Sequence, residues 1–592
     1  MASHLLKLNF SGCVGLSFAI IIFIFIPSFV GGLWLNVFTS TGCFTLAVAG
    51  CALMYSRLGM VSLTQVGLMG IGGWVTLRLN YYLDLPFEFN LFLGIVVTTF
   101  FGVILALPAL RMRGLYLALT TLMAAGGFEI LFATFQFPNG GVGFWGVQTG
   151  SSLFFKRPEI AKSDEAYLRY VVILVTISFL ILELHRRTKP GRAWALIRRS
   201  EAAALSSGVN VTLYKAWAFG LSGALAGLGG GLLAGSLGLL DGGTFRASES
   251  VMIFALAVVG GANSWFGIII ASSLFRILPA ILNNIGIDAD LSYIIFGAGL
   301  LHAVINAPNG ISGQIYDAIP KFKFVQNKFK NTEKVISQYK SKLKNKKIKK
   351  NIFKHLKIRD LTVKFGGVVA LKDISVDFTK NVCGIIGPNG AGKTTLMNVF
   401  SGFIKNQNGI IEINDINLIK LNPHYRSRWG LRRSFQKEEI ADDLTVYDNI
   451  RAQLDNLKIP KNEKLIEIED ALDFVGMLYE SNKEGKYLNK FERRLTDIAR
   501  CVVGSPKLIL FDEPAGGLSV DETKKLGSLI KNVKDFCGAQ TIVIDHDVDL
   551  ISSICEETLV LDFGKKIAFG DTNSVLSDPN VISAYLGIQQ ED

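Results

Sequence analysis

Residues 1–318 of this 592-residue chain hold almost all of its long apolar runs. The runs lie near 12–35, 37–56, 60–81, 88–110, 115–136, 168–184, 213–237, 249–264, 266–285 and 290–307. A bilayer-crossing helix needs ~20 predominantly apolar residues, so the first half predicts a polytopic α-helical membrane domain with about 8–10 membrane helices. The first run follows Lys7 as a signal peptide would, but it is long, lacks a small-residue cleavage site and is followed by more spans. It reads as membrane. Residues 355–592 have the ordinary mixture of a soluble α/β domain, and disorder is excluded by an apolar content of 50 %.

Between the halves, residues 319–354 carry 13 Lys and one acidic residue, Glu333. That strip accounts for the whole net charge of +12, because 48 basic and 48 acidic residues lie outside it. A domain-wide basic surface for nucleic acid is therefore unsupported. The strip reads as a solvated linker and as a juxtamembrane segment attracted to anionic membrane lipid. Seven cysteines form no CxxC pair, which suits membrane and cytosol under reducing conditions.

Lys and Arg in the loops set the orientation. Arg111 and Arg113, and then Arg186, Arg187, Lys189, Arg192, Arg198 and Arg199, belong on the cytoplasmic side. Two spans separate these clusters, and four spans before Arg111 place the N-terminus inside too. An even number of crossings after 200 requires the stretch 249–285 to form two short helices or a re-entrant pair. Glycines 220, 223, 227, 229, 230 and 231 let membrane helices approach closely. No intramembrane acidic relay stands out, which weakens an ion-coupled carrier.

The cytoplasmic stretch Arg198–Lys215 holds a short Ala-rich helix ending at Gly208, suited to docking on another domain. An ordinary connector would look the same. The segment, including Glu201, Ala202, Ala203, Gly208 and Asn210, resembles the coupling loop of permeases from branched-chain amino acid ABC importers. Gly114-Leu-Tyr-Leu-Ala-Leu-Thr-Thr-Leu, Asn139-Gly-Gly-Val-Gly, Val258-Val-Gly-Gly-Ala-Asn-Ser-Trp-Phe-Gly267 and Asn306-Ala-Pro-Asn-Gly310 extend the resemblance over most of 40–312.

The second half opens with an apolar strand from Val382 that runs into Gly387-Pro388-Asn389-Gly390-Ala391-Gly392-Lys393-Thr394-Thr395. In a GxxxxGKT loop the glycines let backbone N–H groups curl around phosphate oxygens, and the following helix adds its positive end. Lys393 reaches the β/γ-phosphates of ATP and the Thr394 hydroxyl ligates Mg²⁺. Lys507-Leu-Ile-Leu-Phe-Asp512-Glu513-Pro514 is a second apolar strand ending in carboxylates. There Asp512 holds Mg²⁺ or its water, and Glu513 polarises the attacking water as general base.

Arg433-Ser-Phe-Gln436 resembles the Q-loop of ABC ATPases, whose Gln senses the γ-phosphate and Mg²⁺. Ile544-Asp545-His546-Asp547 resembles the switch-histidine loop, and Phe365 stands where an aromatic stacks on adenine. Leu444–Asn449, Ala568–Asp571 and Ala584–Gly587 narrow the resemblance to the ATPase partnered with the same amino-acid permeases. One departure matters. The ABC signature, usually Leu-Ser-Gly-Gly-Gln or -Glu, falls at Leu488-Asn489-Lys490-Phe491-Glu492, which replaces Ser and both glycines.

The resemblance implies a permease fused to its ATPase, importing branched-chain or other amino acids across the bacterial cytoplasmic membrane. It further implies an external substrate-binding protein, a second permease subunit and a second ATPase subunit. A small amide such as urea is an alternative cargo. An ABC exporter half-transporter is disfavoured by spans exceeding six, and a non-transporting membrane-anchored ATPase regulator draws support only from the degenerate signature.

Overall fold

A glycine-lined helix organises the membrane half. In this computed structural model, which describes residues 10–83, 85–112, 114–134, 157–238, 243, 245–307, 309–318, 356–406, 408–413 and 416–586, the helix Val211–Leu237 is mostly buried among its neighbours. A Cβ on Gly230 would collide with the Met69 carbonyl oxygen, and one on Gly223 would stand 2.5 Å from that of Thr98. Backbone meets backbone there, which only glycine permits. Arg113, the segment Asn139–Gly143, Pro308, the Lys-rich strip and Gly587 lie outside the described residues.

Each of the ten apolar runs carries a helix. Among the described residues, six helices are long and apolar enough to cross a membrane: Leu33–Leu58, Phe87–Ala109, Leu115–Thr134, Asp164–Arg187, Val211–Leu237 and Trp265–Asn284. Shorter apolar helices span Ala19–Phe29, Ala247–Gly260 and Leu291–Ala303, and Gln65–Leu83 forms a further helix. The stretch 249–285 is two helices, separated at Gly261, where φ is 103°. Irregular backbone between Leu58 and Gln65 is largely buried, and its polar groups find partners: Leu63 N–H donates to Thr121 Oγ1 at 3.0 Å. Val66 N–H, just beyond, donates to Ser250 Oγ at 3.2 Å. Non-helical backbone survives inside an apolar body only when neighbouring groups satisfy it this way.

The ATPase half contains two sheets. Strands β1 (Leu356–Phe365), β2 (Val368–Phe378), β4 (Asn408–Ile413) and β5 (Ile416–Asn417) form an antiparallel sheet in the order β2-β1-β4-β5. The second sheet is built from β3 (Val382–Ile386), β6 (Leu431–Ser434), β7 (Leu508–Asp512), β8 (Gln540–Ile544), β9 (Glu557–Asp562) and β10 (Lys565–Asp571). Its order is β10-β9-β3-β8-β7-β6. Pairings among β9, β3, β8, β7 and β6 are parallel, and β10 closes one edge antiparallel to β9. Strands β3, β7 and β8 are buried at every position, as their near-continuous apolar sequences require. Functional loops follow the C-terminal ends of these central strands, where an open parallel sheet places its ligands.

By its internal contacts the chain divides into Met1–Gly191 with Thr212–Asn327, and Arg192–Val211 with Lys328–Asp592. The short stretch that follows the helix Asp164–Arg187 thus belongs with the ATPase body.

Candidate functional site

The loop after β3 is shaped for phosphate. Gly387 has φ 151°, and a Cβ there would collide with the Leu561 carbonyl oxygen, so this position tolerates glycine alone. Gly392 caps the helix Lys393–Ser401 without any side-chain hydrogen bond, which leaves its first-turn N–H groups for a ligand. Thr394 and Asn389 are exposed, while Ala391 is buried beneath the loop. Lys393 Nζ donates to the carbonyls of Gly387 at 2.6 Å and Pro388 at 2.9 Å, folded back across its own loop. Burial pushes this ammonium below its ordinary pKa, and the nearby Glu513 and Asp512 charges oppose the shift.

Glu513 follows β7 in a left-handed conformation, φ 46°, held by its N–H donating to the Ile544 carbonyl at 2.7 Å. That turn aims the carboxylate away from the sheet. Gln436 Nε2 donates to Glu513 Oε2 at 2.6 Å, and His546 Nδ1 stands 3.9 Å from the same oxygen. Three residues far apart in the chain meet at one carboxylate. The neighbouring Asp545 is buried; desolvation raises its pKa, against hydrogen bonds from the N–H groups of Asp547 and Ala515. Phe365 ends β1 and is half exposed, with Gly366 turning the chain into β2. Ala370 of β2 backs the phosphate loop, its carbonyl 2.8 Å from where a Cβ on Gly392 would sit.

Sequence reading gave no role to Arg433. Its Nη2 donates to Asp512 Oδ2 at 2.8 Å, and its Nη1 donates to Asn398 Oδ1 at 2.8 Å and Ser401 Oγ at 3.1 Å. The guanidinium lies 4.9 Å from the Phe435 ring centre and 5.7 Å from that of Phe403. Burial lowers its pKa, with Asp512 pulling the other way. A buried arginine therefore fixes the carboxylate that closes β7. Only its position directly before Ser-Phe-Gln436 hinted at a role.

The signature segment is built differently. Asn489 caps the helix Lys490–Val502 through a capping box: Glu492 N–H donates to Asn489 Oδ1 at 2.8 Å, and Asn489 N–H donates to Glu492 Oε2 at 2.9 Å. Lys483 Nζ donates to both oxygens of Glu492, at 2.9 and 2.7 Å. Leu488 is buried, Phe491 packs partly into the core, and Lys490 is exposed with its ammonium beside Gly517. Arg494 and Arg500, further along the same helix, are buried. Arg494 donates to the carbonyls of Phe435 and Gln436, both at 2.9 Å, and pairs with Glu438.

The stretch Arg192–Val211 packs on the same body. Ser200 caps the helix Glu201–Ser206, Ala203 and Ala204 are fully buried, and Ala202 and Asn210 are partly covered. Arg428 Nε donates to the Gly208 carbonyl at 2.9 Å, and Ser427 Oγ donates to that of Ser206 at 2.5 Å. Gly208 has φ 74°, and a Cβ there would come 3.1 Å from the Arg428 side chain. Arg192 pairs with Asp455 at 2.6 Å, and Arg199 pairs with Glu439 at 2.9 Å.

Residues 33–304 match the family described as "branched-chain amino acid transport system / permease component", and residues 371–516 match "ABC transporter". Over 248 residues the chain is 32 % identical to LivG of Escherichia coli (strain K12), a high-affinity branched-chain amino acid transport ATP-binding protein. That alignment covers 39 % of this chain and 97 % of LivG. The chain belongs to the branched-chain amino acid-type ABC transporters. It joins the permease and the ATPase of that family in one polypeptide, and its ATPase domain binds and hydrolyses ATP. BraF of Pseudomonas aeruginosa is 31 % identical over 248 residues, covering 39 % of this chain and 97 % of BraF. The lipopolysaccharide export ATP-binding protein LptB of Acidithiobacillus ferridurans is 32 % identical over 222 residues, 37 % of this chain and 92 % of LptB. Among solved structures, the ADP conformation of MJ1267, an ATP-binding cassette of an ABC transporter, matches with TM-score 0.36 and 27 % identity, covering 40 % of this chain and all of that one. As an ABC transporter of this family the chain is a membrane protein that works with other subunits and a substrate-binding protein.

Proposed function

We propose that this chain is the fused permease–ATPase subunit of an importer that carries branched-chain or other amino acids inward across the bacterial cytoplasmic membrane. Its N-terminus and ATPase domain lie in the cytoplasm, and an external binding protein delivers the cargo. A second permease and a different ATPase chain complete the complex.

The observation that carries this reading is the meeting of Gln436 and His546 on Glu513 beside the phosphate loop. ATP places its phosphates in the loop Gly387–Thr395, and Lys393 leaves its two carbonyl acceptors for the β/γ-phosphates. Phe365 supports the base by stacking. Glu513 polarises a water for attack on the γ-phosphorus, while His546 stabilises the charge that builds there. Thr394, Asp512 and Gln436 would supply hard oxygen donors that suit Mg²⁺. Bound there, the ion would neutralise charge on the phosphates, and Arg433 holds Asp512 in place.

Transport follows from the docked stretch Arg192–Val211. Arg199 holds the Glu439 side chain and the Glu438 carbonyl, while Arg494 holds the Glu438 carboxylate and the Gln436 carbonyl. Movement of Glu201–Asn210 is thereby passed both to Gln436 and to the helix beginning at Lys490. The reading is tested by uptake of labelled leucine, isoleucine, valine and urea into proteoliposomes holding the full complex, with binding protein outside. ATP-dependent accumulation of an amino acid supports it. ATP-driven efflux, or accumulation of urea alone, overturns it.

A further inference from the structure

Arg433 is the penultimate residue of β6, and its side chain and that of Asp512 are both nearly fully buried. Its three side-chain hydrogen bonds run to two different elements. Asn398 Oδ1 at 2.8 Å and Ser401 Oγ at 3.1 Å both belong to the helix Lys393–Ser401. Asp512 Oδ2, at 2.8 Å, ends β7. The guanidinium therefore ties the helix behind the phosphate loop to the strand that carries the acidic pair. Arg433 Nε is buried without a partner, so the terminal nitrogens make all of these contacts.

The places tied together are the ones that bear the magnesium donors. Asn398 lies four residues after Thr394 on one helix, so the two share a face. Arg433 occupies Oδ2 of Asp512, while Oδ1 accepts no hydrogen bond among the described residues. Gln436 is three residues past Arg433, and Phe435 between them has its ring centre 4.9 Å from the guanidinium. A hydroxyl, a carboxylate with one oxygen unspent and an amide oxygen are the hard donors that suit Mg²⁺.

Stability gives a poor account of such a residue. A buried ion pair adds little net stability, because desolvation offsets its attraction. Geometry is what it supplies. Mg²⁺ demands near-ideal octahedral donors at about 2.0–2.1 Å and punishes small errors of spacing. The amides of the phosphate loop and Lys393 hold phosphate by charge and many hydrogen bonds, and they tolerate such errors better.

We propose that Arg433 is a positioning residue of the magnesium site: its planar fork sets the spacing between Thr394 and Asp512 and anchors the chain that leads to Gln436. The proposal rests on the reading of Thr394, Gln436 and Asp512 as the magnesium donors. Arg433 acts through Asp512 and Asn398. A lysine keeps the charge there but, as a point charge on a flexible stem, cannot fix three acceptors in one plane.

The experiment uses the full complex with the partner ATPase's phosphate-loop lysine replaced by alanine, so that one nucleotide site is read. Mn²⁺ is the probe, titrated by electron paramagnetic resonance with a non-hydrolysable ATP analogue bound. A fluorescent nucleotide reports binding in EDTA. Arg433→Lys should weaken Mn²⁺ at least about tenfold, the worth of one charge-assisted hydrogen bond, and change metal-free nucleotide binding less than about twofold. Asn398→Ala, which cuts the tie at its other end, should weaken Mn²⁺ in the same sense. Unchanged Mn²⁺ affinity in either variant overturns the spacing role. A matching loss of metal-free nucleotide binding also overturns it, since that pattern reports a disturbed domain. Asp512→Asn separates the two readings. If it abolishes Mn²⁺ binding while Arg433→Lys does nothing, the positioning role alone falls. If Asp512→Asn binds Mn²⁺ as the unaltered chain does, the donor assignment falls and the proposal with it.

Discussion

The helices Lys393–Ser401 and Lys490–Val502 belong to one domain, and their first turns are built on opposite plans. The first has a glycine at its cap, no side chain on its orphan amides and open space around Gly390. The second is closed by a reciprocal Asn489–Glu492 box that carries a carboxylate braced by Lys483. A glycine cap gives up only about a few tenths of a kcal/mol against a side-chain cap, and it leaves the first-turn amides bare for an anion to supply their acceptors. A capped start keeps the stability and repels the anion. In this family's architecture the signature of one ATPase closes over the nucleotide of the other. On the proposed pairing with a second ATPase, one end of this domain is fitted to hold ATP and the other is poorly fitted to help the partner use it.

The contrast between the two ends is tested most sharply at Glu513. Glu513→Gln should cut ATP turnover of the complex by about 10²–10⁴-fold, the usual worth of a general base, while the partner's equivalent substitution should leave most activity in place. Equal loss from the two substitutions, measured as phosphate release, would mean that both nucleotide sites fire alike. Lys393→Ala should weaken ATP binding by removing the phosphate cation, read by competition with a fluorescent nucleotide.

A smaller effect is expected at the docked stretch. Arg199→Glu or Gly208→Val should separate ATP hydrolysis from uptake, lowering the uptake-to-hydrolysis ratio several-fold without preventing membrane insertion or nucleotide binding. Normal uptake by both variants would return the stretch to a plain connector.

Restoring Ser-Gly-Gly at 489–491 should raise hydrolysis at the partner's site and lower thermal stability. The loss should be about 1 kcal/mol for each glycine placed in the helix. A more active and equally stable protein would remove the trade-off between the two plans.

The mildest test uses pH. Burial works to raise the Glu492 carboxyl, but its hydrogen bonds from Lys483 and the Asn489 amide prevail and hold it below the ordinary value of 4.5. A depressed folded-state value contributes stability above the unfolded value, and that stability disappears as pH falls through the folded one. Glu492→Gln should therefore flatten the acid limb of the melting profile below pH about 4.5 and leave its shape unchanged near neutrality.

The phosphate loop was legible in the sequence because its chemistry is contiguous: strand, glycines, Lys393 and helix follow one another without interruption. Glu513 was legible because an apolar strand ending in acids has few other uses so soon after such a loop. Arg433 was not, since its partner Asp512 is 79 residues away and nothing local distinguishes it from Arg432. Arg432 instead turns to the backbone carbonyls of Ser427 and Val503. Long-range pairing is the information that a linear pattern lacks. The two-helix division of 249–285 was legible because loop charges fix the parity of crossings, which is a global constraint that local propensity does not supply.

Because Arg192–Val211 rests on the ATPase body of its own polypeptide, dilution cannot separate the two surfaces. A tethered contact meets its partner at an effective concentration of order millimolar, so it persists at affinities far too weak to assemble free subunits. Selection on this interface is then released from holding the transporter together and acts only on how faithfully it transmits motion. Arg192, Arg199 and Arg428 are consequently free to drift in sequence so long as their replacements move with the ATPase. In a relative with separate subunits, the same drift would first appear as failure to assemble.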